Sequence, residues 1–123
     1  MKLIGYTNNE INNSEFLDEV IKFTDFADIP GDYTVDVSAG ELIYNVKSWI
    51  YDHKDVGAFY GDFIDKDGNY CLHSMFPSIR TMYPGVIYKS ELLQKCVTSN
   101  PLEEIGKTHI ISYIPIAIFR IFE

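Results

Sequence analysis

The chain has 123 residues, of which 46% are hydrophobic and 15% aromatic, and this apolar content excludes an intrinsically disordered protein. Its formal net charge is −8, so nucleic acid and anionic membranes, which both need a cationic surface, are not expected as partners. Residues 1–6 do not resemble a signal peptide, and the most apolar run, residues 110–122, is shorter than a membrane helix and contains Pro115 and Arg120. We therefore expect one cytoplasmic domain spanning residues 1–123, with Cys71 and Cys96 reduced.

The negative charge is concentrated in residues 10–36, which we call the acidic segment. It holds eight carboxylates, namely Glu10, Glu15, Asp18, Glu19, Asp25, Asp28, Asp32 and Asp36. Lys22 is its single cation, so the segment carries −7 of the chain's −8. Because a basic partner would complement such a segment, it is the main functional signal of the sequence.

Three elements are predicted in the first third of the chain. Residues 2–6 are typical of a short strand, and alternation over residues 33–37 predicts another. Residues 14–26 are predicted to form a helix, because apolar residues recur along one face. The helix dipole would favour the acids of the first turn but disfavour Asp25 and Asp28 at the other end. Asp25 and Asp28 are therefore the better candidates for function.

The sequence Ser38-Ala39-Gly40-Glu41 has the pattern of a capping box, which satisfies the first backbone N–H groups of a helix. Apolar residues at helical spacing follow it, namely Leu42, Ile43, Val46, Trp49 and Ile50. A helix over residues 42–53 is therefore predicted, with Trp49 as a packing residue.

Residues 58–65 and 69–76 are predicted to form a β-hairpin around Asp67-Gly68, the pair that a two-residue type I′ turn favours. In that register the facing pairs are Ile64–Cys71, Phe63–Leu72, Asp62–His73 and Tyr60–Met75. Gly57 and Gly61 in the first strand indicate a bulge or close packing rather than a phosphate-binding loop.

The last third of the chain adds a helix and two strands to the prediction. The helix runs from Tyr88 to about Thr98 and is ended by Asn100-Pro101. Residues 108–114 and 116–122 are predicted to be buried strands, with Pro115 at a bulge, bend or edge. The fold class is therefore α+β, a single domain in which a mixed or antiparallel sheet with a central β-hairpin is combined with about three helices.

No cofactor or metal is predicted. Asp65-Lys66-Asp67-Gly68 resembles part of a calcium loop, but with Gly68 at position six, Phe63 and Ser74 stand where carboxylates are required. The three histidines lack a paired metal spacing, and neither GxGxxG nor GxxxxGK[ST] occurs.

A catalytic alternative uses Asp62, His73 and Cys71. A carboxylate facing a histidine could orient the imidazole for general base catalysis, with the thiol nearby. No oxyanion or nucleophile-elbow signature accompanies these residues, so a surface ion pair between Asp62 and His73 is the simpler interpretation.

A second acidic region, between residues 51 and 67, mixes carboxylates with aromatic residues. Its aspartates are Asp52, Asp55, Asp62, Asp65 and Asp67, its lysines are Lys54 and Lys66, and its aromatic residues are Tyr51, Phe59, Tyr60 and Phe63. Such a surface suits the capture of a cationic protein, because the charges steer encounter and the rings supply contact area.

The predicted function is that of an acidic inhibitor, an immunity protein that neutralises a basic, nuclease-type bacterial toxin in a 1:1 complex, as in contact-dependent inhibition. A nuclease is cationic where it holds phosphate, so a protein that covers that surface is expected to be acidic. The predicted contact residues are Asp25, Asp28, Asp32, Tyr33 and Asp36, followed by Tyr60 and Asp62. A phage anti-defence protein or nucleic-acid mimic is the alternative within the binding class, and a small enzyme is the alternative outside it.

Overall fold

The computed structural model describes residues 1–11, 14–72 and 85–122. Within these ranges, eight strands form one mixed sheet that curls into a half-barrel, with short helices on both faces. The strands are β1 (Leu3–Thr7), β2 (Glu19–Lys22), β3 (Tyr33–Asp36), β4 (Gly40–Leu42), β5 (Val56–Ile64), β6 (Tyr70–Cys71), β7 (Ile87–Lys89) and β8 (Ile110–Ile121). The helices are a 3₁₀ helix (Phe26–Asp28), α1 (Lys47–Asp52), α2 (Ser90–Leu93) and α3 (Pro101–Gly106). The predicted fold class is confirmed.

The strand order is β2-β1-β3-β7-β5-β8-β4, and β6 pairs with β5. β1 lies parallel between β2 and β3, and β5 lies parallel to β8, whereas the other pairs are antiparallel. All five residues of β1 are buried, because this strand lies inside the sheet with both faces covered. The predicted strands at residues 2–6 and 33–37 correspond to β1 and β3.

Two hydrophobic cores lie on opposite faces of the sheet. The first includes Leu3, Val35, Ile50, Phe59 and Ile114 and is covered by α1 and the segment before β2. The second includes Ile29, Ala58, Leu93, Leu102 and Ile105 and is covered by the 3₁₀ helix, α2 and α3. Trp49 of α1 packs against the first core, as predicted.

Residues 14–26 do not form the predicted helix but contain β2 and the start of the 3₁₀ helix. A helix would place the apolar residues of this segment on one of its faces. In the fold these residues contact cores on both faces of the sheet. Phe16 and Leu17 pack against the first core, while Ile21 and Phe23 pack against the second. An extended chain at the sheet edge can serve both cores, because its side chains alternate between the faces.

The predicted helix over residues 42–53 forms only in its second half, as α1. The expected capping box is not made. The Ser38 hydroxyl instead accepts from the backbone N–H of Asn8 at 3.0 Å, and the Glu41 carboxylate pairs with Arg120 at 3.4 Å. Residues 40–42 form β4, because pairing with β8 outweighs the local preference of these residues for a helix.

β5 and β6 form the predicted hairpin with a different turn. A type I′ turn needs positive φ at two residues, but only Gly68, at +85°, has it here, and no described non-glycine residue does. The Gly68 N–H donates to the Asp65 carbonyl at 3.0 Å, and the Asp65 N–H donates to the Asn69 carbonyl at 2.9 Å. These contacts define a three-residue loop with a glycine bulge, which shifts the register by one residue. The facing pairs are Phe63–Cys71 and Ile64–Tyr70.

The predicted Asp62–His73 pair involves a residue that the structure does not describe. His73 and the rest of the predicted second strand lie outside the described residues. The calcium-loop resemblance has a structural explanation in the turn, since the Asp65 carboxylate accepts from the N–H groups of Asp67 and Asn69 at 2.9 and 2.8 Å.

The predicted helix over residues 88–98 is replaced by β7 followed by the single turn of α2. Asn100-Pro101 begins α3 and does not simply end a helix. The Asn100 side chain accepts from the Glu103 N–H at 3.4 Å, and Pro101 occupies the first turn, where its missing N–H costs little. None of the helices in the described ranges is long and apolar enough to cross a membrane.

β8 is one twelve-residue strand and not two. Of the three alternatives predicted at Pro115, a bulge is the one observed, because the register with β5 moves from Gly61–Ile114 to Asp62–Ala117. The predicted burial is correct for Ile114, Ile118 and Phe119 but wrong for Ile110, which is 60% exposed, and Ile116, which is 41% exposed.

Candidate functional site

The acidic segment lies at one edge of the sheet, around β1, β2 and β3. Two of its acids form ion pairs, Asp18 with Lys47 at 2.7 Å and Glu19 with Lys2 at 3.6 Å. The other six form no ion pair with any described residue; they are Glu10, Glu15, Asp25, Asp28, Asp32 and Asp36. This edge therefore presents carboxylates that no neighbouring cation in the described ranges neutralises.

Asp25 and Asp28 do not lie at the C-terminus of a helix over residues 14–26, because that helix does not form, so the argument that singled them out is wrong. Asp25 is the N-cap of the 3₁₀ helix, and its side chain accepts from the Ala27 N–H at 3.0 Å. Asp28 lies in the first turn of the same helix. Both are exposed. Their role as partner contacts is still a prediction.

Asp32, directly before β3, and Asp36, the last residue of β3, also accept from backbone N–H groups. The Asp32 carboxylate accepts from Lys2 at 2.7 Å, and Asp36 accepts from Ser38 at 2.8 Å. Asp36 follows Asp32 by four steps of extended chain, so the two lie roughly 13 Å apart at opposite ends of the strand. The acidic edge is consequently spread out, and one small contact cannot cover all of it.

Asp32 and Tyr33, two of the predicted contact residues, line a groove of about 490 Å³. Tyr33 is only 5% exposed, and burial, followed by Asp32 and Glu91, raises the pKa of its phenol. Lys54 and Lys89 also line the groove, so its charges are balanced. Because its charges are balanced, the groove does not attract a cation more than an anion, in contrast to the acidic edge around it.

Asp62, the second-choice contact residue, is not a surface residue, since it is 2% exposed. Its carboxylate accepts from the hydroxyls of Tyr70 at 2.6 Å and Tyr113 at 2.8 Å. Burial and the bond to Asp62 raise the pKa of Tyr113 to about 12. The ring of Tyr60, which is half-buried, lies 5.5 Å from that of Tyr113. The Asp62 carboxylate is therefore not accessible to a partner that docks on this surface.

The bulge between β5 and β8 places this buried carboxylate. A Cβ at Gly61 would lie 3.0 Å from the carbonyl oxygens of Ile114 and Ile116, so glycine allows β8 to approach β5 there. Asp62 follows it directly and is paired with Ala117 across the bulge. The predicted role of Gly57 and Gly61 in bulges or close packing is confirmed by the register shifts of this strand.

Cys71 does not have the surroundings of a nucleophile. Burial and the neighbouring Asp65 raise the pKa of its thiol, whereas a reactive cysteine needs a lowered pKa. Its sulphur lies 3.8 Å from the Asp65 carboxylate. Sequence reasoning missed Tyr70 and Tyr113 as partners of Asp62, because the register and the bulge that bring them together leave no local signal.

Together these features define an α+β protein with a curled mixed sheet, an acidic edge and a buried carboxylate–tyrosine cluster. No protein-family model matches the chain, and a search of curated protein sequences finds no significant match. Its function therefore has to be argued from its own side chains.

Proposed function

We propose that this protein is an acidic inhibitor that binds and neutralises a basic protein, as an immunity protein does with a nuclease-type bacterial toxin. One observation carries the proposal: six carboxylates of the acidic segment have no ion-pair partner among the described residues. A cationic surface would supply the missing counter-charges.

The hydrogen bonds of these aspartates favour a binding role. Asp25, Asp32 and Asp36 each accept from a backbone N–H, which holds the carboxylate in one place while leaving its charge available. A charge that is already positioned loses less conformational entropy when a partner binds. Ordered carboxylates at one edge also steer a cationic partner toward that edge and raise the association rate.

Fewer of the predicted partner-contact residues are accessible than the sequence indicated. Asp25, Asp28 and Asp32 are exposed and are the first candidates, with Asp36 half-buried beside them. Tyr33 could contribute only its groove-facing surface, because its ring packs against Phe59 in the core with centroids 6.3 Å apart.

The first experiment is to find the partner and measure its salt dependence. If the adjacent gene encodes a large exported protein with a basic C-terminal domain, that domain is expressed and mixed with this protein. We expect a 1:1 complex that suppresses the toxic activity and associates more slowly as salt rises, since salt screens the steering charges. A complex whose association rate does not change with salt would contradict the proposal.

A charge-neutral triple variant tests the acidic edge itself. Asp25→Asn, Asp28→Asn and Asp32→Asn keep a side-chain oxygen that can accept the backbone hydrogen bonds and remove only the charge. We expect the association rate to fall by at least tenfold. The matched control changes three exposed aspartates elsewhere, Asp52→Asn, Asp55→Asn and Asp67→Asn, and should lower the rate much less. Equal losses in the two variants would show that only net charge matters, and not this edge.

Two alternatives have distinct signatures. A nucleic-acid mimic would compete with DNA or RNA for the partner and would depend on carboxylates over the whole surface. Both triple variants would then lower the association rate by the same factor. An enzyme that uses Asp62, His73 and Cys71 would lose turnover on His73→Ala, whereas an inhibitor would keep full binding and protection. The raised pKa of the Cys71 thiol argues against its use as a nucleophile.

A further inference from the structure

Opposite charges line the groove beside Tyr33 without pairing with each other. Lys54 and Lys89 lie in its wall together with Asp32 and Glu91. None of these four side chains forms an ion pair with any residue that the structure describes. A ligand that carries both signs of charge would therefore complement the groove, because it can pair with the lysines and with the acids at once.

Hydrogen bonds hold two of these charged side chains in place. The Lys89 ammonium donates to the Lys54 carbonyl at 3.0 Å, and the Asp32 carboxylate accepts from the Lys2 N–H at 2.7 Å. The Lys54 ammonium lies 5.7 Å from the centre of the Tyr51 ring, within the range of a cation–π contact. Groups that are already positioned lose less conformational entropy when a ligand binds.

The Tyr33 phenol adds an unsatisfied polar group to the groove. Tyr33 is 5% exposed, and its hydroxyl has no hydrogen-bond partner among the described residues. The fully enclosed unpaired side-chain atoms of the described ranges belong to Thr34, Trp49 and Ser90, so the Tyr33 hydroxyl is not enclosed and opens into the groove. Buried polar side chains in native proteins generally have a partner. A ligand atom within hydrogen-bond reach would supply one here.

The fold brings both acids to this phenol and both lysines together. Asp32 precedes Tyr33 in the chain, and Glu91 follows two residues after Lys89, which faces Tyr33 in the β3–β7 pair. After burial, the Asp32 and Glu91 carboxylates are the causes that raise the pKa of the Tyr33 phenol, so both lie near it. A ligand ammonium beside this phenol would be attracted by both carboxylates and can donate to the phenol oxygen.

The groove also has the size and the apolar surface for a small molecule. Its volume of about 490 Å³ falls in the range of about 300–1,000 Å³ that is typical of ligand pockets. Ile50 and the ring of Tyr51, which is 52% exposed, supply apolar surface. An aromatic group of a ligand packs well against such a surface.

We infer that the groove binds a small zwitterion with an apolar side group, of the chemical class of an aromatic amino acid. The carboxylate of the ligand lies against Lys54 and Lys89. Its ammonium lies beside the Tyr33 hydroxyl, between Asp32 and Glu91. The inference does not depend on the proposed inhibitor function, which makes no use of the two lysines or of Glu91.

Matched probes test the requirement for both charges. L-Phenylalanine carries an ammonium and a carboxylate, phenethylamine lacks the carboxylate, and hydrocinnamate lacks the ammonium. In NMR titrations of isotope-labelled protein, L-phenylalanine should shift the amide signals of residues 31–33, 50–54 and 89–91. It should bind about tenfold more tightly than either single-charge probe, because each of those loses a charge-assisted hydrogen bond. The inference is overturned if L-phenylalanine shifts none of these signals up to its solubility limit, or binds no more tightly than the other two probes.

Charge-neutral variants test which side chains hold which group. Lys54→Gln should weaken the binding of L-phenylalanine about fivefold without weakening that of phenethylamine, which has no carboxylate. Glu91→Gln should weaken the binding of L-phenylalanine without weakening that of hydrocinnamate. The matched controls, Lys66→Gln and Glu10→Gln, change exposed residues outside the groove and should leave all three affinities unchanged.

Circular dichroism shows whether each variant folds like the wild type. A folded groove variant that lowered the affinities of all three probes equally would contradict the placement of the two charges, as would controls with the same effect as the groove variants. If a variant does not fold, the comparison of the three probes on the wild-type chain still decides the inference.

Discussion

At the scale of single residues, the aspartates of this protein show how a charge can be part of the local structure and still be available for binding. Asp18, Asp25, Asp32 and Asp36 each accept a hydrogen bond from a backbone N–H. Of these, only Asp18 also forms an ion pair with a described residue. A structural role therefore does not exclude these residues from binding, because the hydrogen bond uses a lone pair while the negative charge persists.

The tyrosine hydroxyls on Asp62 should contribute to stability. Tyr113→Phe removes one donor from a carboxylate that is 2% exposed, so we expect the free energy of unfolding to fall by about 1–3 kcal/mol. Tyr70→Phe should cost less, because Tyr70 is 51% exposed and water can replace its hydroxyl. Urea denaturation measures both, with Tyr51→Phe, at a residue 52% exposed, as the control. A loss no larger for Tyr113→Phe than for the control would show that Asp62 does not depend on this donor.

Asp18 should make stability depend on acid pH. The Leu3 N–H, followed by the Lys47 ammonium, lowers the pKa of this carboxyl in the folded protein. A lowered folded-state pKa stabilises the fold above the unfolded-state pKa, and this contribution is lost as pH falls through the folded-state value. The stability difference between wild type and Asp18→Asn should therefore be largest near neutral pH and shrink below about pH 4. Denaturation at several pH values measures it, and a constant difference from pH 7 to 3 would contradict this assignment.

At the scale of elements, the hairpin between β5 and β6 shows how one turn residue sets a register. Gly68 alone takes the left-handed conformation in the loop, and the resulting bulge moves the pairing by one residue from that of a two-residue turn. A shift of one residue exchanges the side chains that face each other. The partners of Asp62 therefore depend on the conformation of a single glycine several residues away.

Substitution of Gly68 tests the turn. A Cβ at this position would contact nothing within 4 Å, so Gly68→Ala carries only the backbone cost of positive φ, about 1–2 kcal/mol of unfolding free energy. Gly68→Asn should cost less, because asparagine tolerates the left-handed region. Urea denaturation of the two variants gives the comparison. If alanine and asparagine were equally tolerated, the turn would have to adopt another conformation in solution.

At the scale of the whole molecule, the sheet separates two kinds of surface. Strands β1, β2 and β3 carry the acidic segment, and β8, near the opposite edge, presents an uncharged run of residues. The proposed inhibitor function depends on the first surface, so variants at Asp25, Asp28 and Asp32 address that proposal.

The sequence alone determined the fold class, β1, β3, the position of the β5–β6 hairpin and an irregularity at Pro115. These features depend on local properties, namely alternation of side chains, turn residues and the missing N–H of proline. Apolar spacing also identified Ile50 and Trp49 as packing residues of a helix, although that helix is shorter than predicted.

Only the tertiary structure decided that residues 14–26 and 38–42 contribute strands, and that Asp62 is buried beside Tyr70 and Tyr113. In residues 14–26 the apolar residues serve two cores on opposite faces, which an extended chain can do, and residues 40–42 pair with β8. The surroundings of Asp62 depend on contacts between β5, β6 and β8, which are distant in sequence. Local spacing cannot encode such contacts, because they form only when the register of the whole sheet is set.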